Sequence, residues 1–149
     1  MNKSLRTASV EETMVLASQF GRTLRRGDVV AFYGDLGSGK TQFVKGIGRA
    51  FQINSNVTSP SFVILNRYEG KDDHQQELIV YHFDLYRIKT ISEIYDLGYE
   101  EFLKGNGICL IEWAELLGSL LPKERYDIHM SLGETENERQ IEIRKMGDA

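Results

Sequence analysis

The chain has 149 residues, of which 41% are hydrophobic, and its formal net charge at pH 7 is −4. This length and composition predict one compact domain over residues 1–149 and leave too little chain for two. The mild negative charge argues against a surface that grips a phosphodiester backbone by charge alone, so we expect no DNA binding and only indirect contact with other nucleic acid, through a partner.

The first third of the chain predicts a helix, a strand, a turn and a second helix. Ser9 followed by Glu12 has the pattern of a capping box, and hydrophobic residues then recur at helical spacing. The apolar run Val29 to Tyr33 is typical of a strand buried on both faces. Gly34 to Thr41 turns the chain, and Thr41 to Phe51 continues as a helix with one apolar side.

The rest of the chain is richer in predicted strands. These lie at Phe62 to Tyr68, Leu78 to Asp84, Gly107 to Trp113, Tyr126 to Leu132 and Arg139 to Met146. Ile91 to Leu103 has helical spacing interrupted by Gly98, which predicts a broken or short helix, and a short helix is predicted from Ala114 to Leu121. This alternation favours an α/β sandwich with a largely parallel central sheet and the last two strands as an antiparallel hairpin at its edge.

The apolar runs are too short to cross a bilayer. The longest, Val29 to Tyr33 and Ile108 to Ile111, fall far below the roughly 20 residues that a transmembrane helix needs. The N-terminus also lacks the apolar stretch of a signal peptide, so we expect a cytoplasmic protein with no membrane association. The single cysteine, Cys109, lies in an apolar run, which predicts a buried, reduced side chain.

Residues 34–41 read Gly-Asp-Leu-Gly-Ser-Gly-Lys-Thr and match the phosphate-loop pattern G-x-x-x-x-G-K-[ST] between a strand and a helix. Glycines permit a turn whose backbone N–H groups face one anion, and the helix adds its positive end. We expect Lys40 to bridge the β- and γ-phosphates and the Thr41 hydroxyl to ligate Mg²⁺. The predicted phosphate-binding residues are Leu36, Gly37, Ser38, Gly39, Lys40 and Thr41. The fold prediction is therefore a P-loop NTPase, and the absence of the guanine-reading pattern [NT]-K-x-D favours ATP.

Two carboxylates close predicted strands, and each is a candidate metal partner. Asp84 follows the run from Leu78 to Phe83, and Glu112 follows the run from Ile108 to Ile111. A triphosphate site needs such an acid at the end of a neighbouring strand, where it points into the same cleft. Mg²⁺ prefers oxygen ligands and keeps several waters, some of which a second carboxylate can hold. Their spacing alone does not divide the roles between them.

Several further residues have two interpretations. Thr58 to Phe62 falls where many such enzymes carry a loop that senses the γ-phosphate, but the same residues also fit a turn around Pro60. His82 is interpreted as a packed or hydrogen-bonded residue rather than a base. Arg87 fits either a phosphate contact or a surface ion pair. Trp113 is interpreted as a core or rim aromatic next to Glu112.

Four segments taken together resemble the bacterial TsaE (YjeE) family, the ATPases of tRNA threonylcarbamoyladenosine biosynthesis. They are Gly34 to Thr41, Ser59-Pro60-Ser61-Phe62, His82-Phe83-Asp84-Leu85-Tyr86-Arg87 and Ile111-Glu112-Trp113-Ala114. The P-loop alone is generic, whereas the His-Phe-Asp-Leu-Tyr-Arg segment combined with Glu-Trp makes the resemblance specific. It extends over essentially the full length, with two mild departures: Ser61 replaces the family's usual threonine, and Ala114 its usual proline.

The resemblance implies a role for each site residue. Lys40, Asp84 and Glu112 would be catalytic, with Thr41 and Glu112 holding Mg²⁺ and Asp84 acting through water or as an acid–base group. The segment from Thr58 to Phe62 would be a switch-like loop. The family's adenine position, at the start of the first helix and near the terminal strands, suggests Val10 to Thr13 and Glu138-Arg139. Of these, Thr13 and Arg139 are grouped with the P-loop as ATP-binding residues.

The resemblance also implies partners. Family members support TsaD and TsaB, which transfer a threonylcarbamoyl group to tRNA, so we expect a Mg-dependent ATPase that is weak alone, drives cycling of that complex and reaches tRNA indirectly. One alternative is a small-molecule kinase using the same phosphate loop. Another is a nucleotide-gated regulatory subunit in which hydrolysis is incidental.

Overall fold

One mixed sheet runs through the computed structural model, which describes residues 2–35, 37–53, 65–96 and 98–147. Within these residues the strands are β1 (Asn2–Thr7), β2 (Val29–Tyr33), β3 (Leu65–Lys71), β4 (Glu77–Asp84), β5 (Ile108–Glu112), β6 (Arg125–Leu132) and β7 (Arg139–Met146). The helices are α1 (Val10–Gly21), α2 (Lys40–Ala50), α3 (Ile91–Asp96) and α4 (Tyr99–Lys104). None of these helices is long and apolar enough to span a membrane.

The sheet has the order β1-β7-β6-β2-β5-β4-β3. The four central strands β6, β2, β5 and β4 pair in parallel, whereas β1–β7, β7–β6 and β4–β3 pair antiparallel. The predicted parallel centre is confirmed, as is the antiparallel pairing of the last two strands. The predicted position of that hairpin at the edge is wrong, because β1 pairs with β7 outside it. The other antiparallel end of the sheet, β3–β4, is likewise formed by strands adjacent in sequence.

Helices cover both faces of the sheet. On one face, α1 and α2 pack through Phe20, Phe43 and Ile47 onto β2, β5 and β6. On the other face, Ile94 of α3 and Tyr99 of α4 pack with the opposite side chains of β2, β4 and β5. Side chains of the central strand β2 therefore enter both hydrophobic clusters, as its continuous apolar sequence predicts.

Local capping and glycine geometry set the helix bounds. The Ser9 hydroxyl accepts a hydrogen bond from the Glu12 N–H at 3.1 Å and caps α1 as expected. Gly98, with φ +72°, separates α3 from α4, which confirms the predicted break. The helix predicted from Ala114 to Leu121 is wrong, because two short 3₁₀ turns, Ala114–Leu116 and Gly118–Leu120, replace it. Gly118 begins the second turn with φ +50°, which is incompatible with a continuous right-handed helix.

Candidate functional site

The phosphate-loop motif connects the end of β2 to the start of α2. Gly34, Gly37 and Gly39 have φ values of +149°, +84° and +102°, which L side chains rarely adopt. Gly34 also lies close to β6, since a Cβ added there would be 2.5 Å from the Met130 carbonyl oxygen. The glycines thus set both the loop's path and its contact with the neighbouring strand. Leu36, the remaining predicted phosphate-binding residue of the loop, lies outside the described residues.

Arg139, at the start of β7, holds the loop from its carbonyl side. Its Nε donates to the Ser38 carbonyl at 2.9 Å and its Nη2 to the Gly37 carbonyl at 3.4 Å. Its Nη1 donates to the carbonyls of Glu136 and Glu138 at 2.7 and 2.8 Å. The structure therefore brings Arg139 to the phosphate loop, where its guanidinium contacts backbone carbonyls. Its predicted contact with ATP stays a prediction.

Lys40 begins α2 and is buried. Its Nζ donates to the Gly34 carbonyl at 2.5 Å and lies 3.5 Å from the centroid of the Trp113 ring. Burial lowers the pKa of Lys40, and the neighbouring carboxylates, Glu112 foremost, oppose that shift. The ammonium is thus held within the loop, between a carbonyl and an aromatic face that both attract a cation.

Glu112 is the last residue of β5, and its side chain contacts both the loop helix α2 and the strand β4. The Thr41 hydroxyl donates toward its carboxylate, at 3.2 Å from Oε2 and 3.4 Å from Oε1. His82 Nε2 lies 2.5 Å from the same Oε2. Glu112 is 3% exposed and His82 is fully buried. A carboxylate so far from solvent needs such partners, because burying a charge without them is strongly unfavourable.

Asp84 is the neighbour of Glu112 in the sheet. The two are register partners at the carboxyl ends of the parallel strands β4 and β5. Asp84 is partly buried, and its Oδ1 accepts a hydrogen bond from the Tyr86 N–H at 3.1 Å. Burial raises the pKa of Asp84, the hydrogen bond from Tyr86 opposes this, and the negative charge of Glu112 adds to it. The structure thus brings both candidate carboxylates together at the carboxyl ends of two adjacent strands.

The groups at these strand ends fit a magnesium nucleotide. Thr41 and Glu112 offer the hydroxyl and carboxylate oxygens that Mg²⁺ prefers, with Asp84 on the adjacent strand. Across the ranges that the structure describes, no three His, Cys, Asp or Glu side chains cluster as a metal site. Mg²⁺ sites generally use one or two protein carboxylates and leave the remaining positions to phosphate oxygens and waters. The buried Ser38 hydroxyl, which has no hydrogen-bond partner among the described residues, is a further polar group within the loop.

Thr13 contacts a different part of the molecule. Its hydroxyl lies 2.6 Å from the Thr7 hydroxyl and donates to the Ser9 carbonyl at 3.2 Å. Both threonine side chains are buried, and their contacts join the end of β1 to the first turn of α1. The predicted adenine contact of Thr13 stays a prediction. The expected switch-like segment, Thr58 to Phe62, lies outside the described residues.

Sequence reasoning missed the link between His82 and Glu112. The interpretation of His82 as a hydrogen-bonded residue is confirmed, but its partner was not foreseen. The available signal was its spacing from Asp84, since residues two apart on a strand point to the same face. Trp113 was likewise interpreted without its contact to Lys40. It has φ +60°, a conformation that is uncommon for a bulky residue and often marks functional sites.

Comparisons with known proteins match most of the chain to one family. The family model for "Threonylcarbamoyl adenosine biosynthesis protein TsaE" matches residues 7–141. The tRNA threonylcarbamoyladenosine biosynthesis protein TsaE of Bacillus subtilis (strain 168) is 38% identical over 143 residues, covering 96% of this chain and 85% of that protein. Its namesake in Treponema pallidum (strain Nichols) is 38% identical over 124 residues, covering 83% of this chain and 86% of that protein. The crystal structure of YdiB from Bacillus subtilis is similar with a TM-score of 0.81 at 33% identity, covering 99% of this chain and 87% of that one.

Proposed function

This chain belongs to the TsaE family of threonylcarbamoyl adenosine biosynthesis proteins, and from that premise we propose that it is the component of the tRNA threonylcarbamoyladenosine machinery that binds and hydrolyses Mg·ATP. The observation that carries the proposal is the contact between Thr41, in the first turn of the loop helix, and Glu112, at the end of β5. A hydroxyl and a carboxylate placed together beside a phosphate loop are the ligands that a magnesium nucleotide requires.

Each residue of the site has a distinct task in this proposal. The backbone N–H groups of the loop and the Lys40 ammonium bind the β- and γ-phosphates. Thr41 and Glu112 would hold Mg²⁺, which would neutralise charge on the phosphate oxygens. Arg139 supports the loop by holding the carbonyls of Gly37 and Ser38, which favours N–H groups directed at the nucleotide.

Hydrolysis then needs a positioned water in line with the bond to the γ-phosphorus. Asp84 is suited to orient that water or to take its proton, since burial raises the pKa of its carboxyl and brings it nearer to the working pH. The water oxygen forms a bond to the γ-phosphorus as the bond to the β-phosphate oxygen breaks. The products are ADP and inorganic phosphate.

The proposed partners are the TsaD and TsaB proteins. The chain carries the groups for nucleotide hydrolysis, and the transfer of the threonylcarbamoyl group to tRNA belongs in this proposal to those partners. ATP binding favours a state that docks on the partners and hydrolysis releases it, so that the cycle supports repeated modification. The mild net charge of −4 agrees with an indirect contact with tRNA.

The decisive experiment reconstitutes this chain with TsaD, TsaB, tRNA and ATP, and compares it with Lys40→Ala. We expect the native chain to support many rounds of modification and to take up Mg·ATP in calorimetry, and the variant to lose both. Lys145→Ala is the matched control, because Lys145 Nζ also lies over an aromatic ring, 4.3 Å from the centroid of Tyr126 on β6. Equal product from the native chain and Lys40→Ala would reject the proposal.

A second comparison separates hydrolysis from nucleotide gating. At saturating Mg·ATP, Asp84→Asn should retain partner binding but fail in multiple turnover if hydrolysis drives the cycle, because Asp84 is the group proposed to act on the attacking water. Undiminished modification by this variant would instead support a nucleotide-gated subunit. A phosphorylated acceptor in place of free phosphate would identify a kinase.

A further inference from the structure

His82 lies at the inner side of the site and contacts the proposed metal ligand. It is on β4, two residues before Asp84, and is fully buried. Its Nε2 lies 2.5 Å from Glu112 Oε2. When Glu112 is ionised, as a metal ligand must be, its oxygen accepts a hydrogen bond and cannot donate one, so the hydrogen of this contact is then on Nε2.

We propose that His82 is a positioning residue that holds the Glu112 carboxylate facing Thr41, in the orientation needed to bind Mg²⁺. The inference rests on the proposed function, since the metal site is part of it. His82 would act through Glu112 and need not touch the nucleotide. In metal sites generally, hydrogen bonds from such outer residues orient the ligands, and their loss weakens metal binding about 10- to 100-fold.

The surroundings of His82 argue against a role in packing alone. Leu78 and Val80 precede it on the same face of β4 and are apolar and buried. His82 Nδ1 is buried and has no hydrogen-bond partner within the described residues. An imidazole is a poor choice for filling an apolar face, because each of its buried nitrogens needs a hydrogen-bond partner. The hydrogen bond to Glu112 is the contact that an aliphatic residue at this position would lose.

Glu112 in turn requires such a partner. It is 3% exposed, and both His82 and the shorter contact from Thr41 fall on Oε2. Two donors on one oxygen restrict rotation of the carboxylate. The donors come from β4 and from α2, so the bonds also connect the strand that carries Asp84 to the helix that follows the phosphate loop.

The experiment compares His82→Leu, His82→Gln and the control His74→Leu, which makes the same change at an exposed turn residue. Each protein is loaded with a non-hydrolysable ATP analogue, and Mn²⁺ binding is measured by electron paramagnetic resonance. Affinity for the analogue without metal and the melting temperature are measured in parallel.

We expect His82→Leu to weaken Mn²⁺ binding about 10- to 100-fold while changing the metal-free affinity for the analogue less than about twofold. His82→Gln retains an N–H donor and should show a smaller loss of Mn²⁺ binding, and His74→Leu should match the native chain. Unchanged Mn²⁺ affinity in His82→Leu would overturn the proposed role of His82 and leave the proposed function standing. A loss of metal-free affinity for the analogue as large as the loss of Mn²⁺ affinity would do the same. No Mn²⁺ uptake by the loaded native chain would overturn the proposed function and this inference with it.

Discussion

Replacing Gly34 by alanine tests whether the phosphate loop depends on close backbone approach. The added Cβ would lie 2.5 Å from the Met130 carbonyl oxygen and 2.7 Å from the Ser38 hydroxyl. The first atom belongs to the backbone of β6 and cannot rotate away. Gly34 also has φ +149°, which an L residue adopts only with strain. The substitution therefore combines a steric clash with an unfavourable backbone conformation.

The magnitude follows from these two effects. A residue held in a sparsely populated backbone region costs about 1–3 kcal/mol, and overpacking a well-packed site costs about 1–3 kcal/mol. We expect Gly34→Ala to lower the free energy of unfolding by about 2–6 kcal/mol, a large fraction of the ~5–15 kcal/mol typical of a domain. Gly37→Ala is the matched control, because Gly37 also has a positive φ, +84°, but a Cβ there meets nothing within 4 Å. Its loss should be about 1–2 kcal/mol.

Urea unfolding followed by circular dichroism measures both variants on one scale. Stability is the appropriate readout, since a methyl group at either glycine would also disturb a bound phosphate and so would not separate the two positions. Losses for Gly34→Ala and Gly37→Ala that agree within about 0.5 kcal/mol, the usual size of a neutral surface effect, would refute the argument from close approach.

Three further outcomes are expected. Gly46→Ala should destabilise the protein by about 1–3 kcal/mol in urea unfolding, because its Cβ would lie 2.6 Å from the Met14 carbonyl oxygen, whereas Gly105→Ala, with contacts no closer than 3.6 Å, should be nearly neutral. Burial raises the pKa of Asp84, so the ionised form of this side chain destabilises the fold. In urea unfolding at pH 7, Asp84→Asn should therefore be more stable than the native chain. This advantage should vanish as the pH falls below about 4, because the carboxyl is then protonated in both the folded and the unfolded state. Burial also raises the pKa of the Cys109 thiol to about 12, so a disulfide reagent at pH 8 should modify it only after unfolding, and rapid reaction in native buffer would contradict its burial.

The parallel strands β2, β4 and β5 could be predicted because their sequences are continuously or almost continuously apolar. Val29 to Tyr33 was predicted with the bounds that the structure shows, and Leu78 to Asp84 lacks only the first residue of β4. Strands covered on both faces need apolar side chains at every position, and this leaves an unambiguous pattern. The phosphate loop could also be predicted from the sequence, since its glycines and lysine have a fixed spacing.

β1 was not predictable from the same kind of evidence. Its sequence, Asn-Lys-Ser-Leu-Arg-Thr, is mostly polar, and only its last residue, Thr7, is buried. It is an edge strand held by backbone pairing with β7, and backbone pairing leaves little trace in side-chain pattern. Arg139 shows a related limit. Its contact with Ser38 spans 101 residues of sequence and depends on the order of the strands in the sheet.

Asp84 and Glu112 repel each other electrostatically, and a bound cation would relieve this repulsion. Like charges at neighbouring positions of adjacent strands repel, and the charge of Glu112 contributes to the raised pKa of Asp84. A sequence selected for stability alone would avoid this pair at the end of a buried sheet. A divalent cation held by Glu112 and Thr41 would reverse the sign of the local field, so that both carboxylates favour the bound state. In that state, part of the free energy of metal binding is the removal of this repulsion, so Asp84→Asn should gain stability and lose affinity for Mg·ATP together.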